Sequence, residues 1–267
     1  EVVMIGALTA LTVIKLLADS GLPGTVVVLI GLLAAVPVCM ALGFTIERIA
    51  YRPLRNAPRL APLITAIGVS IVLQQLAMIF WGRNYHAFPP ILPTSSREIG
   101  GAHITDVQIV IILLAVAIMA GLMLLVNRTR LGRAMRATAE NPQIAGLMGV
   151  NINVIISATF LIGSALAAVA GTMVSANYAI AHYHMGFILG LKAFTAAVLG
   201  GIGNLPGAML GGVLLGLIES LGAGYIGDLT GGFLGSHYQD VFAFFVLILV
   251  LVFRPSGLMG EKVAERA

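Results

Sequence analysis

The stretch VQIVIILLAVAIMAGLMLLV, Val107 to Val126, runs directly into NRTRLGRAMRATAENPQIAGLMGVN, Asn127 to Asn151. The first part holds one amide, Gln108, and no charge. At about 1.5 Å per helical residue its length matches a hydrocarbon core of about 30 Å. The second part opens with four arginines, Arg128, Arg130, Arg133 and Arg136, within nine residues. A spanning helix that ends in a basic, helix-forming loop makes this an integral membrane chain, and the rest of the sequence repeats the pattern.

Of 267 residues, 59% are apolar and 10% charged. A soluble domain carries about 25% charged residues, so this chain could not cover a water-facing surface. Apolar runs fall at Val2 to Leu17, Pro23 to Ile46, Pro62 to Gly82, Val107 to Val126, Val154 to Ala176, Phe187 to Gly201, Pro206 to Gly222 and Asp240 to Phe253. The expected fold is all-α: a polytopic helical membrane protein with about eight transmembrane helices, read as one domain over 1–267. Phe187 to Gly201 is short and glycine-rich; a true crossing is preferred to a re-entrant helix because it preserves the parity of the topology. Alternating strand patterns are absent, and no strands are expected. The tetrapeptides at Gly21 and Asn204, GLPG and NLPG, hint weakly at an inverted repeat.

Lys and Arg in the connections orient the chain. Arg48, Arg52, Arg55 and Arg59, then Arg128, Arg130, Arg133 and Arg136, then Arg254, Lys262 and Arg266 fall on one side, against Arg83 and Arg97 on the other. The first side is expected to face the cytoplasm, which places Glu1, the loop 127–153 and the C-terminus inside and the loop 83–106, with Pro89, Pro90 and Pro93, outside.

An ionisable residue within hydrocarbon is costly and asks for a partner or a function. Lys192 and Glu219, on successive antiparallel spans, are expected to share one depth as a structural ion pair or as part of a translocation path. Gln74, Asn177 and Tyr178 are weaker candidates for that path, with Gln75 beside the first. Gly207, Gly211, Gly212 and Gly216 recur four apart and are read as helix-packing positions, because close backbone approach supplies packing where apolar side chains gain little. Gly200 to Gly207 has the glycines of a phosphate loop, but neither a preceding strand nor a Gly-Lys-Ser/Thr, so it reads as a tight turn. His182 and His184 have no carboxylate or cysteine spaced beside them, and no metal site is expected. The single cysteine, Cys39, excludes an internal disulfide. No nucleophile, paired carboxylates or catalytic triad can be assembled, so the chain is expected not to be an enzyme. Nor is a nucleic-acid partner expected.

Within the basic loop, Arg133 to Glu140 reads as a short helix initiated at Gly132, stopped at Asn141-Pro142 and followed by an amphiphilic continuation to Val150. Here GRAMRATAEN, Gly132 to Asn141, and AGLMGVN, Ala145 to Asn151, resemble the cytoplasmic coupling loop of the permeases of branched-chain amino acid ABC importers, specifically the LivH type. The resemblance extends through IERIAYRP, Ile46 to Pro53, AIGVSI, Ala66 to Ile71, LKAFTAAVLGGIG, Leu191 to Gly203, and PGA, Pro206 to Ala208.

That resemblance implies a permease subunit moving leucine, isoleucine or valine inward across a bacterial inner (plasma) membrane. Related permeases for urea, short amides or sugars are the alternative within the class; an ion-coupled carrier is a more distant one. It further implies a LivM-like second permease subunit, two ABC ATPase subunits that bind ATP and Mg, and a periplasmic amino-acid-binding protein. No cofactor is implied in this chain. Arg133, Arg136, Ala137, Glu140 and Asn141 become the expected ATPase-coupling residues. The family has a further transmembrane helix ahead of a segment ending in His-Gly-Glu, and Glu1 matches that glutamate.

Overall fold

The computed structural model describes the chain except residues 19, 56, 59, 90–95, 100–101, 202, 230–238, 255 and 261–267. Arg59, Pro90, Pro93, Ile202, His237, Lys262 and Arg266 thus lie outside the described residues, as do the side chain of Arg97 and those of 226–229. Two compact units are formed, Glu1–Phe187 and Ile188–Ala267.

The first unit is built on α1 (Val2–Leu16), α2 (Gly24–Ile46) and α7 (Ile152–Tyr178). Small residues set their approach: a Cβ at Gly6 would strike Ala168, one at Gly171 the Val3 carbonyl, and one at Gly43 the Ser164 side chain. Met4, Leu8 and Leu11 fill the resulting core. Around it lie α3 (Leu60–Trp81) and α4 (Asp106–Arg128); α4 buries no residue within the unit, as an apolar helix meeting lipid or another subunit would. Thr105 caps α4, accepting from the Gln108 N–H while the Gln108 side chain accepts from the Thr105 N–H at 3.1 Å. Gln108, the one amide within Val107 to Val126, therefore serves the helix start.

The unit's connections carry strands that the sequence pattern does not announce. β1 (His86–Ala87) pairs antiparallel with β4 (Ile180–Ala181), and β2 (Ser96–Ile99) with β3 (Ala102–Thr105). With two to four residues each, they are too short to show alternation.

Depth within the unit follows from side-chain bonds. Trp81 Nε1, at the end of α3, donates to Thr12 Oγ1 at 2.8 Å, and Cys39 Sγ approaches the Val2 carbonyl. Glu1 is consequently level with Ser70 and Gln74, near the middle of α3, rather than at a helix end on the inner side as the parity of eight crossings expects. α1 has 15 residues, about 22 Å of helix, short of the roughly 30 Å of a hydrocarbon core.

The second unit contains most of α8 (Met185–Gly200), together with α9 (Leu205–Leu229) and α10 (Gln239–Phe253). Between α8 and α9 the chain turns with Gly201 at φ 110° and Gly203 at φ 90°, conformations closed to most side chains. Asn204 fixes this turn, donating to the Met259 carbonyl and accepting from the Gly207 N–H, both at 2.9 Å. The glycine-rich run is thus a turn whose polar groups are taken up by its own neighbours.

Among the described residues, five helices are long and apolar enough to cross a membrane: Gly24–Leu54, Leu60–Trp81, Asp106–Arg128, Ile152–Tyr178 and Leu205–Tyr225. The other three apolar runs form helices of 15, 16 and 15 residues, so the count of eight full crossings is not reached by length.

Candidate functional site

The basic loop folds as two short helices. α5 (Arg130–Glu140) starts two residues before Gly132, because Thr129 is its cap and accepts from the Gly132 N–H at 3.0 Å. Gly132 instead permits close packing, since it is buried and a Cβ there would strike the carbonyls of Leu125 and Val126 in α4. Asn141 ends α5 and caps α6 (Pro142–Leu147), accepting from the Ile144 N–H at 3.1 Å. Ala145 is the buried residue of α6, and Asn151 caps α7 directly after it. The loop is therefore pinned to α4 at one end and α7 at the other.

Its outer face is open. Arg133, Arg136, Ala137, Glu140 and Asn141 are all exposed, with Arg136 reaching Asn127 at 3.4 Å. Ile144, Leu147 and Met148 are 57, 87 and 81% exposed, an apolar edge beside the arginines. Replacing Gly132 by valine is expected to lift α5 from α4 while leaving the spans in place. Trypsin should then cut at Arg133 and Arg136 several-fold faster than in the parent; unchanged cutting would show that the close approach does not position the helix.

A polar network that sequence reasoning passed over lies beside this loop. The chain leaves α2 through a π-helical turn, Glu47–Tyr51, and a 3-10 turn, Arg52–Leu54. Glu47, 1% exposed, takes an ion pair from Arg55 through one oxygen and a 2.7 Å hydrogen bond from Ser157 through the other. Arg55 also bonds the Asn153 side-chain oxygen. The exit of α2 is thereby tied to the first two turns of α7. Glu47 was visible only as a charge at the end of an apolar run, a place where a solvated residue is the default.

Gln74 is brought together with two residues that were not candidates. Its Nε2 donates to Glu1 Oε1 at 2.7 Å, and Ser70 donates to the same oxygen at 2.9 Å. Glu1 Oε2 is buried with no hydrogen-bond partner among the described residues. Asn177 and Tyr178 sit apart from this cluster, exposed at the end of α7. In the second unit, Lys192 Nζ donates to Glu219 Oε2 at 2.9 Å, with 24 and 17% of the two side chains exposed. Of the glycines, Gly207 and Gly211 meet the backbone of Gly200 and Ala196, Gly212 is at ordinary distance from the Ala196 side chain, and Gly216 meets none of the described residues within 4 Å. The close face of α9 follows the i, i+4 row of Gly207 and Gly211; Gly212 and Gly216 stand one residue off it.

His182 stacks on Tyr85 with centroids 4.2 Å apart, and its Nδ1 accepts from the His184 N–H at 3.2 Å. Burial lowers the His182 pKa, a bond to the Arg83 backbone works against this, and His184 and His86 lower it further. Because the folded value lies below the unfolded one, this connection holds fully above about pH 6.5 and weakens as pH falls from there toward the folded value. Trp81, the one tryptophan, whose carbonyl bonds His86 at 2.7 Å, reports on it. Its emission is expected to change on acidification and to change less in His182→Gln; identical titrations would assign the effect elsewhere.

Residues 1–251 match the family described as branched-chain amino acid transport system / permease component. The chain is 46% identical to the high-affinity branched-chain amino acid transport system permease protein BraD of Pseudomonas aeruginosa, covering 100% of this chain and 86% of that one. It is 41% identical to the corresponding protein LivH of Escherichia coli K12, covering 100% and 85%. To the autoinducer 2 import system permease protein LsrC of Yersinia enterocolitica it is 30% identical, covering 73% and 53%. No solved structure matches the chain.

Proposed function

The chain belongs to the family of branched-chain amino acid transport permease components, and from that premise we propose that it is the membrane subunit of an ABC importer carrying leucine, isoleucine and valine into a bacterial cytoplasm. The observation that carries the mechanism is the loop of α5 and α6. It is held rigidly at both ends yet exposes arginines beside Ile144, Leu147 and Met148. An exposed apolar edge rimmed by polar groups suits a protein partner.

In this reading the chain is one permease domain, 1–267, in the inner membrane, with all eight apolar helices in the bilayer, α8 crossing it and α1 starting part-way through it. It pairs with a second, LivM-like permease. Two ATPase subunits, which hold ATP and Mg, dock on the loop 127–153, and a periplasmic amino-acid-binding protein docks on the opposite side, toward the loop 83–106. This chain itself holds no cofactor and no metal. Glu1, Ser70 and Gln74, with Lys192 and Glu219, are the polar groups available to line or to brace the route. The alternative, the same machinery serving another small polar solute, is favoured by the similarity to the autoinducer 2 permease; the higher identity to the branched-chain permeases favours the first.

Uptake of labelled leucine, isoleucine and valine in cells lacking their own high-affinity system, with the chain expressed beside its partner subunits, tests the substrate. Uptake of all three is expected, lost when the partner ATPase is inactivated. Uptake that persists without ATP hydrolysis would overturn the ABC reading, and uptake of a sugar or amide instead would select the alternative. For topology, a cysteine at Asn84 should react from outside intact cells with an impermeant thiol reagent, and one at Ala139 should not. The reverse pattern would invert the chain and remove the coupling assignment.

A further inference from the structure

The polar groups left over at the ends of α2 and α7 are of one kind. A cavity of about 370 Å³ lies between these helices, with Arg48 and Arg52 on one side and Asn151 and Asn153 on the other. The nearest acid, Glu47, is taken by Arg55 and Ser157. The Asn151 side-chain oxygen accepts from the N–H groups of Asn153 and Val154, and the Asn153 oxygen accepts from Arg55. What remains for a ligand among these four residues is two guanidiniums and two amide NH2 groups, all donors. Neither Arg48 nor Arg52 has a carboxylate partner among the described residues.

The other end of the cavity is apolar. Phe44 lies one turn deeper on α2, with the Arg48 guanidinium 5.8 Å over its ring, and Leu161 lies one turn beyond Ser157 on α7. Both sides of the cavity therefore pass from polar to apolar lining in the direction in which the helices enter the bilayer, from arginines to Phe44 at the exit of α2 and from amides to Leu161 along α7. A soluble anion would answer the donors and leave the apolar end wet. A phospholipid answers both.

We propose that this cavity binds the phosphate headgroup of an anionic phospholipid, with Arg48 and Arg52 pairing with the phosphate, Asn151 and Asn153 donating to it, and the acyl chain lying along Phe44 and Leu161. Basic recesses between spanning helices at a membrane face suit such headgroups. The site adjoins the Arg55–Asn153 contact and the cap of α7, so an occupied cavity braces the helix start that follows the coupling loop. The proposal rests on the membrane reading, and its assignment to the inner leaflet rests on the topology above. Binding in detergent depends on neither orientation nor substrate, so failure there is distinguishable from failure of the transport reading.

The full chain, purified in neutral detergent, is titrated with phosphatidylglycerol and with phosphatidylcholine, and bound lipid is counted by native mass spectrometry. Preferential retention of phosphatidylglycerol is expected, weakened roughly tenfold in Arg48→Gln/Arg52→Gln. Arg48→Lys/Arg52→Lys, which keeps the charges, should retain most of it and so separates loss of the site from loss of the fold. Lys15→Gln, at the other end of the first unit's helices, should leave binding unchanged. Equal retention of the two lipids, or an equal loss in Lys15→Gln, overturns the proposal. Displacement of phosphatidylglycerol by inorganic phosphate alone overturns it in favour of a soluble anion. If the glutamine double variant kept its lipid but lost the ATPase partner, the cavity would be a protein contact.

Discussion

Replacing Ala137 by tryptophan is expected to abolish uptake while the protein inserts normally. Ala137 is exposed near the end of α5, one turn from Arg133 and beside Arg136, and its carbonyl receives the Asn141 N–H that closes the helix. Because it is exposed, a bulky side chain there costs the fold little. At a packed interface it forces two surfaces apart, and a steric lesion at such a place costs about 2 kcal/mol or more, roughly thirtyfold in association. Glu140→Lys and Leu147→Asp should act in the same direction, the first by reversing a rim charge and the second by placing a charge on an apolar edge. The paired measurement is membrane yield, ATPase retention on purification, and uptake in the same cells. Normal yield with lost retention, or with hydrolysis uncoupled from uptake, is expected. Normal retention and full uptake in all three variants would reduce the loop to a topological anchor.

The loop was readable in advance because its signals are local. Ala-rich composition, Asn141-Pro142 as a stop and arginines placed at one membrane face are all properties of neighbouring residues. The one local error, a helix starting at Gly132 instead of Arg130, arose because Thr129 is the better cap and Gly132 is small for contact with α4. Long spans were readable for the same reason. Partial spans were not: α1 carries no charge before Lys15 in its last turn, and only its partners show that it starts beside the middle of α3. Nor could the sequence bring together Glu1 with Gln74, or Glu47 with Ser157, since those pairs are separated by 73 and 110 residues. Lys192 and Glu219 were easier, because consecutive antiparallel helices fix which residues share a level. Removing either alone should lower yield and uptake more than removing both; strictly additive effects of Lys192→Met and Glu219→Gln would show that the two do not interact.

Breaking the Glu47 network should produce the largest loss of stability, and its asymmetry identifies the cause. Glu47 is almost fully buried, whereas Arg55 keeps 24% of its side chain exposed. Arg55→Met leaves a buried carboxylate with the Ser157 hydroxyl as its one remaining described partner, the costlier of the two orphans, and removing one partner of a buried pair costs about 3–5 kcal/mol. Glu47→Leu strands a guanidinium that can turn toward water or lipid headgroups, so it should cost less. The double variant Glu47→Leu/Arg55→Met removes both charges and should recover much of the loss, leaving the Asn153 contact as the missing piece. Thermal unfolding in detergent gives the order, with Arg55→Met the least stable and the double variant nearest the parent. Uptake should follow a different order if the network also carries motion. The segment of α5 and α6 leads into Asn151, the cap of α7, and Asn153 is the residue through which α7 grips Arg55 and thereby the exit of α2. A double variant that folds well but leaves the partner ATPase hydrolysing ATP without uptake would place this contact in the path from loop to helices. A double variant with full uptake would confine Glu47 and Arg55 to holding the fold, and displacement of α7 alone would then have to drive the gate.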